Sequence, residues 1–268
     1  MADPGVYELY AVRYAFHERT QEMNFLDPPD PHEVMPIDFY VWAAVSDALT
    51  VVIDTGFKAD TAADRGRTFL RCPSEGLGEI GVDAAAVKDV VITHFHYDHI
   101  GNFDLFPGAT FHLQDREMAF ATGRHMLDEK IVKSFNVNDV VGMVRHVFGG
   151  RVSFNDGDAE FAPGISLHHI GGHTPGLQVV RVMTKRGWVV VASDACHLYA
   201  NMETRNPYPI IFDLDDMLAG YGRLKELAET PDHIVPGHDP LVMDRYPAVS
   251  EALKDIAVRL DEAPEEGA

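Results

Sequence analysis

Three imidazoles and a carboxylate stand within six residues of this chain, at His94, His96, Asp98 and His99 in the run Thr93-His94-Phe95-His96-Tyr97-Asp98-His99-Ile100-Gly101. A packed core avoids ionisable groups unless each has a partner. A metal ion supplies a partner for several of them at once. The apolar run Val90-Val91-Ile92 directly precedes the cluster, so a buried strand delivers it. Alternate positions on an extended segment face the same way, so His94 and His96 can converge on one ion. Asp98 and His99, beyond a turn, can then face a second ion beside it.

Four donors do not close two metal sites, and three more residues have suitable local settings. His173 sits in the turn Gly171-Gly172-His173-Thr174-Pro175-Gly176, Asp194 ends an apolar strand after Ser193, and His238 follows another in Pro236-Gly237-His238-Asp239. Taken singly, a His or Asp at a strand end most often caps a turn or is satisfied within the core. Together with the six-residue cluster, each at the end of a rigid strand, they can gather at one sheet edge and complete two coordination shells.

The elements that must hold these residues are legible as short apolar runs. Strands are predicted over 7–14, 39–45, 50–53, 87–92, 109–113, 165–170, 177–184, 188–192 and 234–235. Helices are predicted over 114–122, 137–147, 214–229 and 248–260, and helical patterning alternates with turns over 58–88. Residues 18–36 carry Pro28, Pro29, Pro31 and Pro36 and must be a long loop, either a lid or a packed connection. Two groups of strands, each associated with helices, imply a helix-sheet-sheet-helix sandwich. At 268 residues the chain is expected to form one domain, 1–268.

Composition narrows the function classes. The formal charge is −20, from 22 Lys+Arg against 42 Asp+Glu, which would repel nucleic acid or an anionic membrane over most of the surface. Part of that charge lies in Asp261-Glu262-Ala263-Pro264-Glu265-Glu266, expected to be a solvated end. Two cysteines, Cys72 and Cys196, make no disulfide framework, which suits a reducing compartment. Met1-Ala2-Asp3-Pro4-Gly5 lacks a signal-peptide pattern, and no apolar run is long enough for a membrane helix, so a cytoplasmic location is expected.

The motifs resemble those of the metallo-β-lactamase superfamily, whose signature is His-x-His-x-Asp-His followed by isolated His, Asp and His ligands. The resemblance covers almost the whole chain. It implies an α/β fold, the αβ/βα sandwich of two mixed sheets flanked by helices. It also implies that His94, His96 and His173 hold one metal and Asp98, His99 and His238 a second, with Asp194 bridging them and Asp54 orienting the site from behind. Such nitrogen and oxygen ligands suit two zinc ions, and would suit manganese, iron or cobalt as well. Two ions ~3.5–4 Å apart can share a hydroxide, because coordination lowers the pKa of water towards ~7. That hydroxide would attack a carbonyl polarised by a metal, while Asp98 accepts or shuttles the proton.

Within the superfamily the chain is most similar to bacterial N-acyl-homoserine lactonases, the quorum-quenching enzymes, in its size, in the turn around His173 and in Gly237-His238-Asp239-Pro240. The resemblance implies a small-molecule lactone or similar cyclic ester as substrate and allows a homodimer. Two positions depart from the pattern: Leu177 stands where the turn usually ends in a second histidine, and His197 where a tyrosine usually bonds the lactone carbonyl. His197 or Tyr199 could substitute as the donor to the developing oxyanion.

Cys196, two residues after Asp194, could be a soft ligand but reads better as a small buried hydrophobe. His112, His125, His146, His168 and His169 read as structural. The pocket is expected to be apolar, with Phe25, Met126, Phe135, Tyr208 and Phe212, and Arg124 and Arg205 are either carboxylate anchors or solvated surface residues. Competing functions are hydrolysis of another acyl bond (a thioester, cyclic amide or β-lactam), mononuclear iron oxygenation on fewer of the same ligands, and a non-catalytic, metal-stabilised binding protein.

Overall fold

The computed structural model describes residues 5–265. Its first sheet begins with β1 (Glu8–His17) and β2 (Ile37–Val45), which pair antiparallel, and β3 (Thr50–Ile53), which returns against β2. The chain then passes through α1 (Ala59–Asp64), the two-residue strand β4 (Thr68–Phe69) and α2 (Pro73–Glu79) to β5 (Asp89–Val91), parallel to β3. After α3 (Tyr97–Ile100), the strand β6 (Thr110–Gln114), the helices α4 (Asp115–Ala121) and α5 (Val137–Phe148), and β7 (Val152–Asn155) extend the parallel side.

The second sheet is built from β8 (Ala159–Ala162), β9 (Ile165–His169), β10 (Gln178–Thr184) and β11 (Gly187–Ser193) as an antiparallel meander. After α6 (Tyr199–Glu203) and α7 (Leu214–Leu227), β12 (Ile234–Pro236) joins it parallel to β11. Beyond α8 (Leu241–Arg245) the chain crosses back, and β13 (Ala257–Arg259) pairs with β1. The first sheet therefore has the order β13-β1-β2-β3-β5-β6-β7, with β4 on β1, and the second β12-β11-β10-β9-β8. Both are mixed.

Strand periodicity sets the layers. In β11, Val189 and Val191 face the first sheet while Val190 and Ala192 face outward against Met217, Tyr221 and Leu224 of α7. The inter-sheet core also takes Leu9, Trp42 and Ile53. The far face of the first sheet packs Val52, Val90 and Phe111 against Ala62, Leu77, Phe120 and Met143 from α1, α2, α4 and α5. Each side chain so buried stabilises the fold by roughly 1.5–3 kcal/mol. The result is the expected sandwich of helices, two mixed sheets and helices.

Two sequence expectations fail at the chain's end. Residues 248–260 do not form a closing helix: a single 3-10 turn, Glu251–Leu253, leads into β13. Spacing alone suits an amphipathic helix there, but the free edge of β1 recruits the segment as a strand, burying Ala257, Val258 and Leu260. Asp261 is likewise not solvated. It is buried and accepts Nε and Nη2 of Arg259 at 2.7 and 2.6 Å. The expectations for Met1–Pro4 and Glu266 lie outside the described residues.

Candidate metal centre

β9, β11 and β12 point the same way in the second sheet, and β3 and β5 do so in the first. The candidate ligands follow the carboxyl ends of these strands. Thr93 C=O, just after β5, accepts the amide of Gln178 at the start of β10, which brings the two edges together. The expected donors gather there in two groups, His94, His96, His173 and Asp194, and Asp98, His99 and His238, and a third group, Asp194, His197 and His238, overlaps them; the ligand atoms in each group all lie within 4.8 Å of one another. All seven side chains are buried.

Asp194 lies between the groups. Its Oδ2 is 3.1 Å from His173 Nε2 and 3.7 Å from His94 Nε2, while its Oδ1 is 3.1 Å from His238 Nε2 and 3.3 Å from His99 Nε2. Asp98 Oδ2 stands 3.7 Å from His238 Nε2 and 3.8 Å from His99 Nε2. Ser193, just before Asp194, has φ +44°, a left-handed conformation for a non-glycine residue of the kind that concentrates at functional sites.

The far nitrogens of these rings show what the near ones can do. His99 Nδ1 donates to Asp54 Oδ2 at 2.7 Å, His238 Nδ1 to the Asp38 carbonyl at 2.8 Å, and His173 Nδ1 to the Ile210 carbonyl at 2.7 Å. A neutral imidazole carries one N–H, so each Nε2 is left with a lone pair aimed at carboxylate oxygens or at other ring nitrogens. His173 Nε2, for example, faces His96 Nδ1 at 2.8 Å. Acceptors facing acceptors need a cation between them. Consistently, Nε2 of His94, Nε2 of His99 and Oδ1 of Asp194 are buried without a hydrogen-bond partner. The donor set fits divalent metal ions.

Electrostatics agree at His94 and His96. Burial, followed by neighbouring imidazoles, holds His94 and His96 well below the ordinary imidazole range, which keeps them neutral as ligands must be. Burial alone would raise Asp194, but His197, His238, His99 and His94 outweigh it and hold the carboxyl well below its usual range. Burial would likewise lower His99 and His238, yet Asp194 draws both upward.

A layer of contacts behind the donors holds them in place. Asp54, at φ +61°, accepts the amide and hydroxyl of Thr93 at 2.7 and 2.8 Å besides His99. Glu117 of α4 is buried and joins the two ligand-bearing loops: Oε1 accepts the Phe95 amide at 2.8 Å, and Oε2 accepts the Thr174 hydroxyl and Gly176 amide at 2.7 and 3.1 Å. A Cβ on Gly176 would lie 2.2 Å from the Glu117 nitrogen, so only glycine permits this approach. Sequence reasoning passed over Thr93, Asp38 and Glu117. The only signal was an acidic residue in the first turn of a helix, which is ordinary capping composition.

The remaining candidates separate. His197 lies in the centre, with Nε2 2.9 Å from Asp194 Oδ2 and its ring stacked on Tyr208 at 3.8 Å. Burial lowers it to about 3, so it is neutral. Tyr199 is not beside it. This tyrosine packs in the inter-sheet core with Arg245 over its ring, which removes it from the expected oxyanion role. Cys196 is buried among apolar side chains with its thiol donating to the Leu198 carbonyl. His112, His168 and His169 bond Asp89, Asp158 and the Pro175 carbonyl.

Above the donors opens a cavity of about 220 Å³, whose lining includes His96, Asp98, His173, Asp194, His197 and His238. Of the five residues expected to make the pocket apolar only Tyr208 lines the cavity, and the rest of its apolar lining is Ile37, Phe39, Tyr97 and Ile210. Phe25 and Phe135 are buried, the latter edge-on to His96 at 4.9 Å. Arg124 and Arg205 do not line it either. Four other cations do, Arg19, Arg65, Arg67 and Lys133, which the sequence did not single out.

Comparison with known proteins follows the same lines. The metallo-beta-lactamase superfamily model matches residues 39–252. An N-acyl homoserine lactonase of a Bacillus species is 26% identical over 226 residues, 78% of this chain and 84% of its own length. A probable metallo-hydrolase of Mycobacterium tuberculosis is 26% identical over 230 residues, 77% of this chain and 74% of its own. Among solved structures, an N-acyl homoserine lactone hydrolase with N-hexanoyl-L-homoserine bound at its catalytic metal centre superposes with a TM-score of 0.73 at 20% identity, covering 89% of this chain and 96% of that one. The dizinc quorum-quenching lactonase AidC superposes with a TM-score of 0.70 at 18% identity, covering 88% of each chain. At these identities the structural likenesses show a shared fold.

Proposed function

This chain belongs to the metallo-beta-lactamase superfamily and is a metallo-hydrolase, and from that premise we propose that it uses two metal ions, zinc by preference, to open a small lactone or similar cyclic ester. The observation that carries the proposal is the placement of Asp194, with one carboxylate oxygen towards each group of imidazole nitrogens. Divalent ions held there would supply Lewis acidity and a water ionised near neutral pH.

The residues of the chain do the rest. His94, His96 and His173 would hold one ion and Asp98, His99 and His238 the other, with Asp194 shared. Asp54 and the carbonyls of Asp38 and Ile210 keep His99, His238 and His173 in the tautomer that leaves Nε2 free. Asp98 belongs to the donor set and also lines the cavity, so it can take the proton released from water and pass it to the leaving alkoxide. His197 donates from Nε2 to Asp194 Oδ2, and its role is to position the shared carboxylate.

Replacing Asp194 with Ala should lower metal content below two ions per chain and abolish lactone hydrolysis; undiminished ring opening in that variant would sink the mechanism. A panel of lactones, thioesters, cyclic amides and β-lactams compared by kcat/KM identifies the bond. Mononuclear iron oxygenation is the weaker reading, because Asp98, His99 and His238 form a second complete donor group. One iron per chain in protein purified without added metal would favour it.

A further inference from the structure

The cavity over the metal centre has a wall that the ring-opening reaction does not require. Arg19, Arg65, Arg67 and Lys133 all line it, in a chain whose formal charge is −20. With carboxylates in such excess, a buried or half-buried arginine normally finds one. Arg13 pairs with Asp38 at 2.8 Å and Arg259 with Asp261 at 2.6 Å. Among the described residues, no carboxylate forms an ion pair with any of the four cavity cations. The carboxylates that share the cavity with them are Asp98 and Asp194 of the metal centre.

The arginines are held in place by neutral groups. Arg65 lies over the Tyr97 ring at 3.8 Å and donates to the carbonyls of Lys133 and Phe135 at 2.8 and 3.2 Å. Arg67 donates to the Tyr97 hydroxyl at 3.1 Å and the Arg65 carbonyl at 2.7 Å. Arg19 donates to the Tyr208 hydroxyl, and its guanidinium lies 5.4 Å from that ring, which in turn stacks on His197.

Arg19 Nε and Arg67 Nη1 also converge on the two ring nitrogens of His17, at 2.8 and 3.1 Å. A neutral imidazole has one acceptor nitrogen, so it can accept from only one of the two guanidinium groups. The Nη2 groups of Arg19 and Arg67 and the Lys133 ammonium bond no described residue. Each of Arg19 and Arg67 therefore keeps one Nη2 donor free at the cavity wall, and each can give a charge-assisted hydrogen bond to a carboxylate or phosphate oxygen. Burial, then Arg67 beside it, lowers Arg19 to about 10, the direction a missing counter-charge produces.

We propose that Arg19, Arg65, Arg67 and Lys133 form an anion-binding wall, so that the molecule taken at the metal centre carries a carboxylate or phosphate in addition to the bond that is opened. Which bond reacts rests on the hydrolase reading above; the anion does not. The cavity volume, about 220 Å³, falls below the roughly 300–1,000 Å³ common for ligand pockets. The part of the substrate seated over the metal centre is therefore compact.

The test uses the full-length, metal-loaded protein, with Arg67→Gln and the exposed Lys133→Ala as variants. One arm measures binding of inorganic phosphate and of succinate by calorimetry. The other compares kcat/KM for a γ-lactone bearing a free carboxylate with that of its uncharged methylamide. Anion binding should weaken in both variants by about tenfold or more, the size of a lost charge-assisted hydrogen bond. The wild type should prefer the acid to the methylamide by a similar factor, and Arg67→Gln should erase that preference. Binding to the metals alone would be the same in all three proteins, and that result overturns the proposal. If no lactone is opened while anion binding still falls in the variants, the wall stands and the lactone reading fails. If lactones are opened without charge preference and anion binding is unchanged in the variants, the lactone reading stands and the wall fails. The tighter of phosphate and succinate identifies the group.

Discussion

His17 is the residue at which the charge of the cavity wall can be read without a substrate. Burial, then Arg67 and Arg19, pulls its pKa from 6.5 to about 4. A histidine harder to protonate in the folded than in the unfolded state contributes stability above pH ~6.5, which is lost as the pH falls towards ~4. Because the ring is only half-buried, the loss is discounted for solvent screening to about 1–2 kcal/mol. His17→Gln should therefore flatten the decline of unfolding free energy between these pH values, measured by urea denaturation across the range. An unchanged slope would mean that the arginines do not act on His17. At this scale the candidate donors were legible in part: the seven side chains named from the sequence gather in groups that could hold a metal ion. Tyr199 was misassigned because nearness in sequence to His197 says nothing of direction. One residue lines the cavity and the other, at the start of α6, packs into the core.

Glu117 matters at the scale of elements, because it joins the loop after β5 to the turn between β9 and β10, and so the ligands of the first sheet to those of the second. Glu117→Gln keeps the volume but sets an amide N–H against other donors. The helix should remain folded while metal affinity falls about 10–100-fold, the usual effect of losing a group that orients ligands. A competition titration with a chromophoric chelator reads this directly, and wild-type affinity would show that the loops hold themselves. Most strands and the long helices were visible as apolar periodicities. The segment at 248–260 was not, since its pattern suits an amphipathic helix and only the free edge of β1 makes it a strand.

For the molecule as a whole, the metal centre is a clasp between the sheets. His94, His96, Asp98 and His99 follow β5 of the first sheet, whereas His173, Asp194 and His238 follow strands of the second. Ions bound there cross-link the two layers, and the clustered acceptors repel one another without them. Removing metal with a chelator should lower the unfolding temperature by on the order of 5–10 °C for each ion held at a hundredfold excess over its Kd. Restoring zinc should reverse the shift. Identical calorimetric transitions with and without chelator would exclude a structural contribution from the site. No helix among the described residues is long and apolar enough to cross a membrane.

The amino-acid sequence by itself determined the candidate donors, their attachment to strand ends and the layered fold, because each of these is written in short-range order: a cluster of four donors in six residues, single donors at the ends of apolar runs, and runs of strand or helix period. Tertiary structure alone decided the lining of the cavity. Arg19, Arg65, Arg67 and Lys133 lie on separate segments, and nothing in their local sequence distinguishes them from solvated surface cations. Whether a guanidinium is paired depends on which carboxylates fold to within a few ångströms of it. Here none of the described carboxylates pairs with these four, and the chain's large negative charge conceals a positive wall beside its metal centre.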